Sequence, residues 1–301
     1  MIFAEEMDRR IKETEDIIRK YLPRPEGYQK TVLEAMHYSM SAGGKRLRPM
    51  LMLETYRMFG GQDRIIEPFM AAMEMIHTYS LVHDDLPCMD DDEYRRGKKT
   101  TQVVYGEGMA VLAADGLLNL AYETAAGAVA EAGNERERLL AAQALLVFAK
   151  KAGVHGMIGG QVSDVEAEER GDEVTEDQLL FIHSHKTSAL IQAAMMTGAI
   201  LAGASEEEIQ RIEDCGCRIG LAFQIRDDIL DVTGSLEVLG KQSGSDEKNN
   251  KKTYVTLKGL EEAKRDVESI SEEAVRLLSS FGPHKSPFLE CLVKQLITRE
   301  R

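Results

Sequence analysis

Positive charge is scarce in this 301-residue chain: 37 Lys and Arg stand against 51 Asp and Glu, a formal net charge of −14. A general nucleic-acid binder needs a basic face, so that class is disfavoured. A small anionic substrate is not excluded, provided that bound metal reverses the local field. Cysteine is scarce too. Cys88, Cys215, Cys217 and Cys291 fit neither a zinc ribbon nor a disulfide framework, which points to a reducing cytoplasm. Seven prolines and no Pro/Gly-rich linker leave nothing to divide the chain, so a single domain over residues 1–301 is expected. The first twenty residues alternate charged with apolar positions and lack the apolar core of a signal peptide. One stretch, Ser188–Ser205, is nearly uncharged, but Gln192, Thr197, Gly198 and Gly203 interrupt it. Its apolar part barely reaches the length of a membrane span. A helix apolar all round is also what the centre of a large helical protein needs, and that is the expectation here.

What is present is helical patterning. Leu, Ala, Met, Glu and Lys abound, and there is no convincing strand alternation, low-complexity tract or internal repeat. "VLEAMHYSM" and "MLMLETYRMF" read as helices separated by "SAGGKRLRP". Pro68–Asp85 reads as a longer helix, stopped near Pro87 because the residue before proline avoids the helical region. Gly108–Glu131, Arg136–Gly153 and Gly156–Ala167 follow. Thr175 with Gln178, and Ser205 before Glu206–Glu208, are helix-start signatures. The one long connection, Thr233–Lys252, has the composition of a lid. An all-α chain of about ten or more helices is expected.

The chemistry-bearing residues fall in clusters. "HDDLPCMDDDEYRRG", His83–Gly97, holds six acids followed by two arginines. Asp90 lies six residues beyond Asp84, turned well away from it on an unbroken helix, but Pro87 lets the chain fold back so that both can meet one ion. Asp91, Asp92 and Glu93 are expected to be solvated or paired with nearby bases. In "QIRDDILDVTG", Asp227 and Asp231 are four apart and share a helix face. That is either a solvated acidic face or a Mg²⁺ site, since Mg²⁺ prefers carboxylates and water. "GGKRLRP" puts Lys45, Arg46 and Arg48 after two glycines, a pattern suited to phosphate. His77 lies two helical turns before Asp84. Lys186 and Thr187 sit at the mouth of the most apolar helix, where a lysine either snorkels or meets an anion. Acids alone would repel a phosphate, a like pair at ~4 Å costing ~4 kcal/mol at an effective dielectric of about 20. Metal turns that repulsion into a bridge.

The motifs "GGKRLRP", "HDDLPCMDDDEYRRG", "GGQVSD", "HKTSAL" and "FQIRDDILD…GK" occur in this order, and from about Gly43 onward the chain resembles the trans-prenyl diphosphate synthases, notably the bacterial farnesyl type. The resemblance implies an all-α bundle around a deep central cavity, a homodimer, and Mg²⁺, up to three ions per site. It implies Asp84, Asp90 and Asp227 as metal ligands, with Asp85 supporting and Asp228 and Asp231 near the metal or its waters. It implies that Lys45, Arg48, His77 and Arg96 hold isopentenyl diphosphate, and that Arg95, Lys186 and Lys241 hold the allylic diphosphate. Thr187 and Gln224 match groups beside the developing carbocation. In this family the tail grows along the helix that ends at the first acidic motif, so Tyr79, five residues before Asp84, is the expected floor, with Met75 and Met109 as candidate wall. A C15 product is expected, with C20 as the alternative. A terpene cyclase would ionise the same substrate, but Lys45, Arg48 and His77 argue for a second diphosphate. A non-catalytic partner subunit would be expected to lose acids, and both clusters are intact. The C-terminal "ITRER" lacks the basic ending of eukaryotic enzymes and is assigned no role.

Overall fold

The structure, a computed structural model, describes residues 3–170, 174–233, 252–282 and 286–298. Helix dominates it, as the patterning requires. The chain folds as two compact units, residues 1–53 with 62–146, and residues 54–61 with 147–301.

In the first unit, α1 (Phe3–Arg19) leads to α2 (Lys30–Met40), the start of α3 (Leu47–Met58) and α4 (Ile66–Asp84). A short hairpin follows, β1 (Tyr94–Arg95) and β2 (Lys98–Lys99), then α5 (Thr101–Tyr105), α6 (Glu107–Ala130) and the first part of α7 (Glu135–Ala152). The long helix read from Pro68 starts two residues earlier, with Pro68 in its first turn, where a missing N–H costs nothing. α4 packs along α6, and Phe69, Met73 and Ile76 on α4 and Ala113, Ala114 and Leu117 on α6 are fully buried. The hairpin is too short for any alternation to reveal. It pairs Tyr94 with Lys99 and Arg95 with Lys98.

The second unit holds α8 (Met157–Arg170), α9 (Glu176–Ile182), a π-turn (His183–Thr187), α10 (Ser188–Leu201) and α11 (Glu206–Thr233). It closes with α12 (Tyr254–Lys258), α13 (Leu260–Ser279) and α14 (Pro287–Thr298). Every residue of α10 is buried, which bears out the buried-helix reading of Ser188–Ser205. Among the described residues no helix is long and apolar enough to cross a membrane. Both helix-start signatures form. Thr175 and Gln178 make reciprocal bonds of 3.3 and 3.1 Å, and Ser205 and Glu208 do the same at 3.3 and 2.8 Å. α11 packs on α10 and α13.

Candidate active site

α4 ends at Asp84, and the loop after it does fold back. The Asp90 N–H donates to the Asp84 carbonyl at 2.8 Å, and the Asp91 N–H to Leu86 at 3.1 Å. Gln102 staples the loop by donating to the carbonyls of Asp85 and Asp92. Asp84 is half-buried and Asp90 exposed. Asp85 turns inward, at 4 % exposure, against Arg95 at 2.5 Å. Burial pushes the Asp85 carboxyl up to about 6 in spite of the Arg95 guanidinium. Arg95 also reaches Asp92 at 3.2 Å, while Asp91 and Glu93 are exposed, in line with acids expected to be either paired with a base or solvated.

The hairpin docks on the loop before α3. Tyr38 donates to the Lys99 carbonyl at 2.6 Å, Lys98 to Ser41 at 3.0 Å, and Arg96 to the carbonyl of Gly43. A Cβ on Gly44, whose φ is +125°, would land on the Arg96 guanidinium. Glycine is required there by both backbone and space. The two basic stretches of the sequence therefore meet, with Lys45 exposed beside them. Arg48 lies 3.5 Å from the His77 ring. Burial, then the positive fields of Arg48, Arg96, Arg95 and Arg46, hold His77 well below its ordinary pKa. A neutral imidazole with a guanidinium group beside it can take part in holding an anion.

Arg46 is different from its neighbours. It is buried, bonds Glu74 at 2.6 Å and the Met40 carbonyl at 2.7 Å, and lies 3.4 Å from Glu15. It braces the loop from inside and is spent on these partners, whereas the sequence grouped it with the phosphate-suited bases.

The neutral state of His77 has a pH consequence. An unfolded histidine titrates near 6.5, so below that pH the unfolded chain gains a proton that folded His77 refuses. The stability contributed here is complete above pH ~6.5 and falls with pH, by at most ~1.4 kcal/mol per unit. Urea unfolding should therefore show a smaller loss between pH 7.5 and 5.5 in His77→Gln than in wild type.

In the second unit, the π-turn sets Lys186 and Thr187. α8 approaches it closely: a Cβ on Gly160 would fall on the Lys186 backbone nitrogen. Lys186 bonds Asp164 of the "GGQVSD" stretch at 2.5 Å. Thr187 donates to the Gln224 Oε1 at 2.8 Å. Asp227 and Asp231 are half-buried on α11, one turn apart. Asp228, expected near metal or its waters, is turned inward. It is 5 % exposed, and its carboxylate accepts from the Tyr254 N–H at 2.8 Å and from Gln224 at 3.4 Å. His183 lies 3.7 Å away. A cavity of about 120 Å³ is lined by Asp164, Lys186, Thr187, Gln224, Asp228 and Lys252, among others. Lys241 and residues 234–251 of the long connection lie outside the described residues.

Sequence reasoning gave no role to Asp164 or His183. Asp164 stood inside a motif with no partner named, and His183 was one of two histidines flanking a serine. Only the π-turn makes these contacts, and it has no compositional signature.

The donor set suits Mg²⁺. Among the described residues no group of three or more His, Cys, Asp and Glu converges on a point. Mg²⁺ is commonly held by one or two carboxylates together with water and substrate phosphates. The fold-back returns the Asp90 backbone to the end of α4, next to Asp84.

A polyprenyl synthetase family model matches residues 29–280. The chain is 42% identical to the farnesyl diphosphate synthase of Bacillus subtilis over 96% of its own length and 94% of that protein's. It is 43% identical to the chloroplastic geranylgeranyl pyrophosphate synthase of Catharanthus roseus, covering 89% of this chain and 73% of that one. In structure it is similar to a geranyltransferase from Helicobacter pylori described as complexed with magnesium and isoprenyl diphosphate. That pair has a TM-score of 0.82 and 30% identity, and covers 99% and 97% of the two chains.

Proposed function

Because this chain belongs to the polyprenyl synthetase family, we propose that it is a Mg²⁺-dependent prenyltransferase making farnesyl diphosphate. It joins isopentenyl diphosphate to dimethylallyl and then geranyl diphosphate, releasing inorganic diphosphate at each addition. The whole chain, residues 1–301, serves as one catalytic domain. The observation that carries the reading is the Arg48 guanidinium 3.5 Å from His77, with Arg96 bonded to the Gly43 carbonyl of the same basic stretch, together with an acidic loop folded back on itself. A cyclase has no need of that second anion site.

In this reading Lys45, Arg48, His77 and Arg96 hold the isopentenyl diphosphate. Arg95, Lys186 and Lys241 hold the allylic diphosphate. Asp84, Asp90 and Asp227 are the metal ligands, for up to three ions. When bound, Mg²⁺ neutralises charge on the leaving diphosphate. The allylic C–O bond breaks, and the electron pair of the isopentenyl double bond forms the new C–C bond. A proton then passes to the departed diphosphate. The Thr187 and Gln224 oxygens face the positive charge as it develops, and exclusion of water from the pocket strengthens every such interaction. Exposed Val111 and Leu112 on α6, and Leu139 and Leu146 on α7, support a homodimer. The chain works in the cytoplasm. The deciding experiment is incubation with Mg²⁺, isopentenyl diphosphate and each allylic diphosphate, followed by separation of products. Farnesyl diphosphate is expected; geranylgeranyl diphosphate would make it the C20 enzyme, and a cyclised hydrocarbon would overturn the proposal.

The two neighbouring arginines should separate kinetically. Arg96→Ala should raise chiefly the isopentenyl KM. Arg95→Ala should impair the allylic half and also lower the melting temperature, since it strips buried Asp85 of its counter-charge. Lysine would rescue either only in part, lacking the planar fork. Identical defects in both variants would contradict this division.

A further inference from the structure

We infer that Asp228 is a positioning residue, which fixes the orientation of the Gln224 amide and through it that of the Thr187 hydroxyl. The inference rests on the prenyl-transfer reading above. Its ground is a chain of contacts within the second unit. The Asp228 Oδ2 accepts from the Tyr254 N–H at 2.8 Å, which holds the carboxylate at the start of α12. The Oδ1 lies 3.4 Å from the Gln224 Nε2, and the Gln224 Oε1 lies 2.8 Å from the Thr187 Oγ1.

The two ends of an amide cannot be told apart by shape, but the neighbours decide. A carboxylate accepts and cannot donate, so the end of Gln224 that faces Asp228 must be its NH₂. The oxygen is then turned to Thr187. Thr187 has one hydroxyl proton, and it is spent on that oxygen. What Thr187 can offer the 120 Å³ cavity, which it lines with Gln224, is lone pairs only. The negative end of the hydroxyl dipole faces a space where the proposed reaction develops positive charge.

Remove the carboxylate and the order can reverse. The NH₂ turns over and donates to the Thr187 oxygen. The freed hydroxyl proton then points into the cavity and opposes the cation. Asn at position 228 should produce this state. Its one acceptor stays with the Tyr254 N–H, and its own NH₂ faces Gln224, which answers with its oxygen. Asp228 thus acts on turnover through two other side chains, in a motif whose neighbour Asp227 is assigned to metal.

The test is a double-mutant cycle on the full chain with Mg²⁺ and both diphosphates, using Asp228→Asn, Thr187→Val and the pair. Asp228→Asn should lower kcat about tenfold to a hundredfold, as expected for misdirecting one oriented dipole. Both KM values and the half-saturating Mg²⁺ concentration should stay within about twofold. With Thr187→Val there is no hydroxyl to orient, so adding Asp228→Asn should cost less than threefold more, against full additivity for independent sites. Additive losses, or a Mg²⁺ requirement raised about tenfold in Asp228→Asn, would overturn the inference, the latter by making Asp228 a metal ligand. If Asp228→Asn fails to fold, Gln224→Leu breaks the same chain and leaves the Tyr254 anchor intact. It too should be non-additive with Thr187→Val, and additivity there overturns the inference. A wild-type chain that forms no prenyl product would sink the functional reading instead, so the two failures are distinct.

Discussion

Asp227→Ala should lower turnover by about two to three orders of magnitude while leaving the melting temperature nearly unchanged. The size follows from what the carboxylate is proposed to hold, since a divalent cation at a leaving diphosphate supplies several kcal/mol to the transition state. The unchanged stability follows from position. Asp227 is half-buried on α11, and removing it relieves the like-charge crowding with Asp231 one turn on. Asp84→Ala should behave alike, because the Asp90 N–H bonds the Asp84 backbone carbonyl and not its side chain. Excess Mg²⁺ should recover part of the loss in either variant. A folded Asp227→Ala protein with near-normal turnover would sink the metal assignment.

The second large effect is on product length. Tyr79 is 5 % exposed on α4, its ring set edge-on to His83 at 5.8 Å. It lies ~7.5 Å along the helix axis from Asp84 at ~1.5 Å per residue. Burial, with lesser contributions from Tyr122 and Asp84, pushes its phenol up to about 12, so it is a neutral ring at any working pH. A large neutral ring one to two turns below the acids is a stop for a growing apolar tail. Tyr79→Ala removes that bulk, and the main product should move from C15 to C20, with kcat for the first addition little changed. Chromatography of the dephosphorylated alcohols reads this directly. An unchanged C15 product would leave Tyr79 as helix packing only, and a wild type that already makes C20 would refute the floor.

The sequence carried the helices because each writes its own ends. Thr175, Ser205 and Pro87 mark them locally, and the structure honours all three within a residue or two. The fold-back of Asp90 was legible for the same reason, as proline is a local constraint. Three features were not legible. The π-turn at His183–Thr187, against which α8 presses close at Gly160, has no periodicity of its own. The hairpin at Tyr94–Lys99 has two residues per strand, too few to alternate. The third is the burial of Asp228 beside half-buried Asp227. The chain returns at Tyr254, whose N–H bonds the Asp228 carboxylate, while Asp227 stays half-open. Arg46 and Arg48 divide in the same way, one turned to Glu74 and the other to His77.

Three side chains, Arg46, Asp91 and Arg96, sit at φ of +47°, +51° and +53°, where glycine is at ease and other residues are not. Each such placement costs roughly 1–2 kcal/mol. At Arg46 the buried bonds to Glu74 and Met40 offset it. Exposed Asp91 and Arg96 have less to set against it. A laboratory selection that rewards heat resistance alone would therefore drift towards glycine at 91 and 96. Arg96→Gly should raise the melting temperature and weaken isopentenyl capture together. Resilience and catalysis compete at that residue, and the competition would surface as an evolutionary ceiling on how stable an active form of this protein can become.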